Sequence, residues 1–376
     1  MAHYTKLTFK QGKLNKTVAQ LFKNLMEKGI VDAFLAPMAQ PSKGVMQTLV
    51  TTADQLDRLD VFAPVVPVNG AKLASSLTRT PSGKKIAMVL RSCEVRALVE
   101  LVKLKQASLA DVLLIGMDCL GRYENRDFLR FQEEQNSSET FLESALGNGT
   151  HTGDMEISDA CRICEYPVAD SVDLRLCVIG AGTGNLYVES LTPKGEKAIE
   201  DAGLESDPPP PERARAVDQL TKQRIQARDK RFEQYRAAVN TIEALEDELS
   251  GCINCYNCRV ACPVCYCKEC VFVTDTFRHN GEQYLRWADS RGNLKMPADT
   301  TFYHLTRMAH IALSCVGCGQ CTSACPNGID LMPMFRTVAD KAQARFDYRA
   351  GRSEDEPQPL TVFYDEEMTE VTGQVK

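Results

Sequence analysis

Seven cysteines fall within nineteen positions in "CINCYNCRVACPVCYCKEC", residues 252–270, and four more follow in "CVGCGQCTSACP", residues 315–326. Cys252, Cys255, Cys258 and Cys262 precede Pro263, and Cys315, Cys318, Cys321 and Cys325 precede Pro326. The spacing C-x2-C-x2-C-x3-C-P therefore occurs twice, which is the two-cluster ferredoxin pattern. Three thiolates at this spacing wrap one corner of an iron–sulfur cubane, and the fourth, turned away by proline, reaches the other cluster. The expected ligand sets are crossed: Cys252, Cys255, Cys258 and Cys325 for one [4Fe-4S] cluster, and Cys315, Cys318, Cys321 and Cys262 for the other. A zinc site would instead present two C-x2-4-C pairs and four ligands per ion, without the trailing prolines. Gly317 and Gly319 suit a loop whose backbone N–H groups approach sulfides. Cys265, Cys267 and Cys270 exceed what the pattern needs; they are inert buried thiols, alternative ligands, or part of a further site. Cys177 stands alone and reads as a small buried side chain.

The elements that must position other thiols lie upstream. "LFKNLMEKGIVDAFLAP" reads as a helix running into a buried strand. In "KKIAMVLRSCEVRALVELVKLKQ", Lys85 to Leu90 is a short apolar strand, "RSC" a turn, and Glu94 to Leu104 a helix with Val95, Leu98, Val99 and Val102 on one face. "DVLLIGMDCLG" is apolar on both faces, as a parallel strand covered on two sides must be. Cys93 and Cys119 each fall just past the carboxyl end of one of these strands, so their thiols should open into one crevice. "DACRIC" adds Cys161 and Cys164 on a C-x-x-C turn, so that four thiols can meet in one place.

"VIGAGTGNLYVES" imitates a dinucleotide fingerprint, but its spacing is G-x-G-x-G and a strand follows, not a helix. Gly180, Gly182 and Gly184 form either a plain turn between strands or a flavin-contacting loop. Four prolines in "ESDPPPPERAR" mark a boundary, and residues 213–250 then read as one long helix, basic first and acidic later. That face is either simply solvated or a docking surface. The tail from Ser353 reads as an extended arm. The expected architecture is an α/β domain with a partly parallel sheet at 1–205, a proline linker and charged helix at 206–249, a two-cluster ferredoxin-like α+β domain at 250–335, and an extension at 336–376.

A length of 376 residues calls for two or three domains. The net charge of −6 opposes nucleic-acid binding through a basic surface. No apolar run reaches the roughly 18 residues of a membrane span, and no signal-peptide core opens the chain, so a cytoplasmic protein is expected. Of sixteen cysteines, eleven lie between Cys252 and Cys325, a distribution suited to metal ligation and not to a secreted disulfide scaffold.

With these motifs in order, the chain resembles the beta subunits of coenzyme F-420-reducing hydrogenases and, more closely, of formate dehydrogenases. "LRSCEVRALVELVKLKQ", "DVLLIGMDCLG", "DACRICEYPVADSVDL" and the two cysteine runs carry the resemblance, and the extra cysteines of "CPVCYCKEC" belong to the formate dehydrogenase version. It implies that Cys93, Cys119, Cys161 and Cys164 hold a third [4Fe-4S] cluster beside FAD. It also implies a molybdenum- or tungsten-containing formate dehydrogenase catalytic subunit, or a hydrogenase, as partner, with a further redox protein as acceptor. In "LNKTVAQLF", Asn15, Lys16 and Gln20 stand where the family has glycines that permit close approach to a flavin, which opposes FAD. An oxidoreductase subunit acting as an electron relay, with no catalytic residue of its own, is the expectation. A FAD subunit exchanging a hydride with coenzyme F-420 or another two-electron carrier is the alternative, and a zinc-bearing docking module a third.

Overall fold

In the computed structural model, which describes residues 3–134, 136–147 and 155–361, the apolar runs of the first half become one sheet. Its strands are β1 (His3–Thr8), β2 (Ala33–Ala39), β3 (Val45–Val50), β4 (Ile86–Arg91), β5 (Val112–Met117), β6 (Leu174–Cys177) and β7 (Asn185–Ser190), in the order β1-β7-β6-β5-β4-β2-β3. Strands β2, β4, β5 and β6 run parallel, while β3, β7 and β1 add antiparallel edges. Every residue of β4 and β5 is buried. Period-two alternation divides them between two cores: Ala87, Val89, Leu113 and Ile115 face one cluster, and Ile86, Met88, Leu90 and Leu114 the other. The second cluster continues into the cysteine-rich half through Val316, Leu331, Met334 and Phe335, so one core supports both the strand ends and the cysteine loops.

Between β4 and β5 the helix Ser92–Lys103 starts directly after the strand, without the expected turn. Glu94 makes this possible. Its buried carboxylate accepts the backbone N–H of Arg91 at 2.8 Å and of Gly70 at 2.7 Å, satisfying donors that a helix start leaves open. Gly70 is required there, because a Cβ would stand 2.7 Å from Leu90 and 2.9 Å from the Glu94 carboxylate.

Three expectations need correction. The stretch 213–250 is two helices, Arg213–Ala238 and Ile242–Glu248. Thr241 caps the second by accepting the Ala244 N–H at 3.2 Å, and the break places Glu243 in a first turn, where its charge suits the dipole. Secondly, all described strands lie before residue 191, so the stretch 250–335 contains helices and loops and no sheet; the α+β expectation for it fails. Cysteines at every third position and trailing prolines break the alternation that a strand ladder needs. Finally, the tail is not a free arm where it is described. Within it buried Gln358 donates to Ser314 and to Glu100 at 3.4 Å, and just before it Tyr348 and the Gly351 N–H donate to the same Glu100 carboxylate at 2.6 Å and 2.7 Å. Residues 362–376 lie outside the described residues. Among the described residues no helix is long and apolar enough to cross a membrane.

Candidate metal centres

Strands β4 and β5 end in register at Arg91 and Met117, and this alignment brings Cys93 and Cys119 to one cavity of about 500 Å³. Cys161, inside the short helix Asp159–Arg162, and Cys164 line it from the other side, together with Cys318. Arg224 of the long helix ties the two walls by donating to the Cys119 carbonyl at 3.2 Å and the Cys164 carbonyl at 3.4 Å. A second arginine, Arg91, points Nη1 at the Cys119 sulfur from 3.5 Å. Asn69 Nδ2 and Ser92 Oγ, both on lining residues, are buried without a hydrogen-bond partner among the described residues.

Cys252, Cys255, Cys258 and Cys325 line another cavity, of about 340 Å³, with Tyr303 and His304 from the helix Thr300–Ile311. Burial first, with Arg307 and Lys295 adding, pushes the His304 imidazole down to about 3, so a neutral ring stands 3.4 Å from the Cys252 sulfur. The third group consists of Cys262, Cys315, Cys318 and Cys321. These thiols are near enough for charge on one to disfavour charge on another: burial raises Cys318 to about 12, with Cys262 and Cys315 adding, and the same neighbours help hold Cys321 far above its ordinary value. Cys93, raised first by burial, is raised further by Cys318. Cys318 joins the third group to the strand-end group, because it lines the same cavity as Cys93, Cys119, Cys161 and Cys164. Cys255 is exposed.

Buried thiols that raise one another's pKa are poor thiolates by themselves, and a bound cationic metal group is what makes their deprotonation favourable. Unpartnered donors beside them fit an acceptor-rich ligand. The thiols surround open space; among the described residues no three His, Cys, Asp or Glu side chains close on a single ion. Four thiolates on one zinc at 2.3 Å would stand only about 3.8 Å apart. The all-thiol donor set, with unpartnered donors beside it, fits iron–sulfur clusters.

Gly317 and Gly319 owe their identity to packing. Both have positive φ, and a Cβ would meet Arg336 at 2.7 Å from Gly317 and Ala160 at 2.5 Å from Gly319. Gly319 thereby presses the second cysteine loop onto the helix that carries Cys161. Gly180, Gly182 and Gly184, at φ of 72°, 79° and 73°, turn the chain between β6 and β7, away from the residues lining the strand-end cavity. Gly180 backs onto Arg213, where a Cβ would lie 2.5 Å from Cα. Asn15 lies in the helix Leu14–Glu27 and donates to Asp60 at 2.8 Å. Cys177 is buried. Cys265, half-buried and raised to about 11 by burial and then by Cys262, Cys267, which is exposed, and half-buried Cys270 line neither cavity. Sequence reasoning missed Arg91, Arg224, His304 and Arg307, which follow no motif spacing and reach the thiols only through the fold.

A family model described as a 4Fe-4S dicluster domain matches residues 248–329, spanning both cysteine runs. The F420-dependent formate dehydrogenase subunit beta of Methanocaldococcus jannaschii is 28% identical over 89% of this chain and 91% of its own length. The F420-dependent formate dehydrogenase 1 subunit beta of Methanococcus maripaludis is 27% identical over 93% of this chain and 94% of its own length. Among solved structures, a chain of the F420-reducing [NiFe] hydrogenase complex from Methanosarcina barkeri aligns with 64% of this chain and 94% of its own, at a TM-score of 0.47 and 15% identity. Residues 248–329 thus match a 4Fe-4S dicluster domain, and the chain is similar over most of its length to the beta subunits of F420-dependent formate dehydrogenases.

Proposed function

We propose that this chain is the iron–sulfur electron-transfer subunit of a multi-subunit oxidoreductase, holding three [4Fe-4S] clusters. The ligands are Cys93, Cys119, Cys161 and Cys164; Cys262, Cys315, Cys318 and Cys321; and Cys252, Cys255, Cys258 and Cys325. The observation that carries this reading is the gathering of Cys93, Cys119, Cys161 and Cys164 around one cavity, which Cys318 also lines, and of Cys252, Cys255, Cys258 and Cys325 around another, from separate stretches of chain. When bound, such clusters supply one-electron exchange without making or breaking a bond to substrate. The chain's own residues exclude water and balance charge. Arg91 faces the Cys119 sulfur and Arg307 the Cys258 sulfur, both buried, while Tyr303 places its hydroxyl 3.5 Å from Cys258.

The partner is a formate dehydrogenase catalytic subunit containing molybdenum or tungsten, where formate is oxidised, with a further redox protein as acceptor. Untagged anaerobic purification from the native source tests this. The catalytic chain should copurify; recovery with only unrelated proteins contradicts the choice of partner.

Similarity to the beta subunits of F420-dependent formate dehydrogenases favours a second reading, in which the chain also binds FAD and exchanges a hydride with coenzyme F-420 or another two-electron carrier. Gly180, Gly182 and Gly184 are its candidate flavin loop. Release of FAD on denaturation, in proportion to chain, would favour it over the plain relay.

A further inference from the structure

Arg307 is 4% exposed, yet no carboxylate among the described residues forms a salt bridge with it. Some buried arginines of this chain face a carboxylate, as Arg213 faces Asp118, Arg175 faces Glu189 and Arg336 faces Glu165, whereas Arg91, Arg96 and Arg224, like Arg307, form no salt bridge among the described residues. An unpaired buried cation is costly, so its counter-charge must lie among its contacts. Nη1 stands 3.1 Å from the Cys258 sulfur, and Nη2 donates to the Cys258 carbonyl at 3.3 Å. Phe335 and Tyr303 rings lie 4.5 Å and 5.6 Å from the guanidinium carbon, and Nε is buried without a partner. Among these contacts the Cys258 sulfur is the one that becomes anionic when it ligates a metal group.

We infer that Arg307 is a fixed counter-ion of the cluster to which Cys258 belongs, and that its charge raises that cluster's reduction potential. This rests on the cluster reading above. Reduction adds one electron, hence one negative charge, to a cluster already bound by four thiolates; no proton or bond changes hands. A permanent cation in a dry, low-dielectric position stabilises that added charge more than it stabilises the oxidised form. Arginine suits the place because it remains charged when buried.

The test is a potentiometric titration of the full chain, followed by electron paramagnetic resonance, with iron and sulfide measured on the same samples. Arg307→Gln should keep its iron and lower at least one midpoint by 59 mV or more, a tenfold change in the one-electron equilibrium. Arg307→Lys should stay within that distance of the wild type. An Arg307→Gln protein with full iron content and unchanged midpoints overturns the inference. If Arg307→Gln loses iron, Arg307→Lys decides. A loaded Lys variant with near-native midpoints supports the charge; an empty or strongly displaced one shows that the guanidinium matters only as packing. Wild-type protein lacking iron and sulfide would sink the cluster reading itself, a result distinct from any of these.

Discussion

Cys325 lines the same cavity as Cys252, although the rest of the second cysteine run lies between them in the chain. Neighbours in sequence are thus separated in space: Cys325 lines this cavity with Cys252, Cys255 and Cys258, and Cys321 does not. Cys325→Ser should therefore deplete the cluster of Cys252, Cys255 and Cys258 and spare that of Cys315, Cys318 and Cys321. Resonance spectra of paired variants, Cys325→Ser against Cys255→Ser, should show the same signal lost. Loss of the signal that Cys318→Ser removes would break the crossed assignment.

Asp118 sits between β5 and Cys119 and is fully committed. It accepts Arg213 Nη1 at 2.7 Å and Nη2 at 3.0 Å, as well as the backbone N–H groups of Val178 and Ile179 at 2.9 Å each. The pair pins the start of the long helix to the strand end that presents a thiol. Asp118→Asn leaves the buried guanidinium facing only Glu189, 3.9 Å from Nε, and should cost about 3 kcal/mol in chemical denaturation. A change below about 1 kcal/mol would mean that the helix start is held by other contacts.

Tyr4 on edge strand β1 donates to Glu189 at 2.5 Å. Burial first, and then this bond, raise its phenol from 10 to about 12. An acid whose pKa is raised on folding keeps its contribution below the unfolded value and loses it as pH climbs through the folded one. Wild-type stability should therefore fall between pH 10 and about 12. Urea midpoints of Tyr4→Phe should fall less over that window; parallel curves for the two proteins would refute the assignment.

Cys177 is buried beside Glu189 and Arg175 and lines neither thiol cavity. Cys177→Ser should keep the full complement of iron and sulfide. Loss of about four irons per chain would make it a ligand.

How much of this could be read from residue order follows from what local pattern encodes. Apolar runs at 85–90 and 112–117 announced parallel strands because burial on both faces leaves no polar alternation, and the strand ends then brought Cys93 and Cys119 together. Cysteine spacing likewise pointed to the crossed grouping, since three thiols on a tight loop leave the fourth free. The break at Val239 and Asn240 escaped notice because helix propensity continues through it, and only Thr241 capping marks the restart. Arg91, Arg224 and Arg307 were invisible for a different reason. Their partners are thiols and carbonyls far away in the chain, and no spacing rule connects them.

The central claim is that twelve thiolates hold three cubes of iron and sulfide, and joint analysis of metal and acid-labile sulfide in anaerobically purified protein tests it most directly. The account predicts about twelve irons and about twelve sulfides per chain, with negligible zinc. Zinc without sulfide, or colourless protein that takes up neither iron nor sulfide on reconstitution, would contradict it.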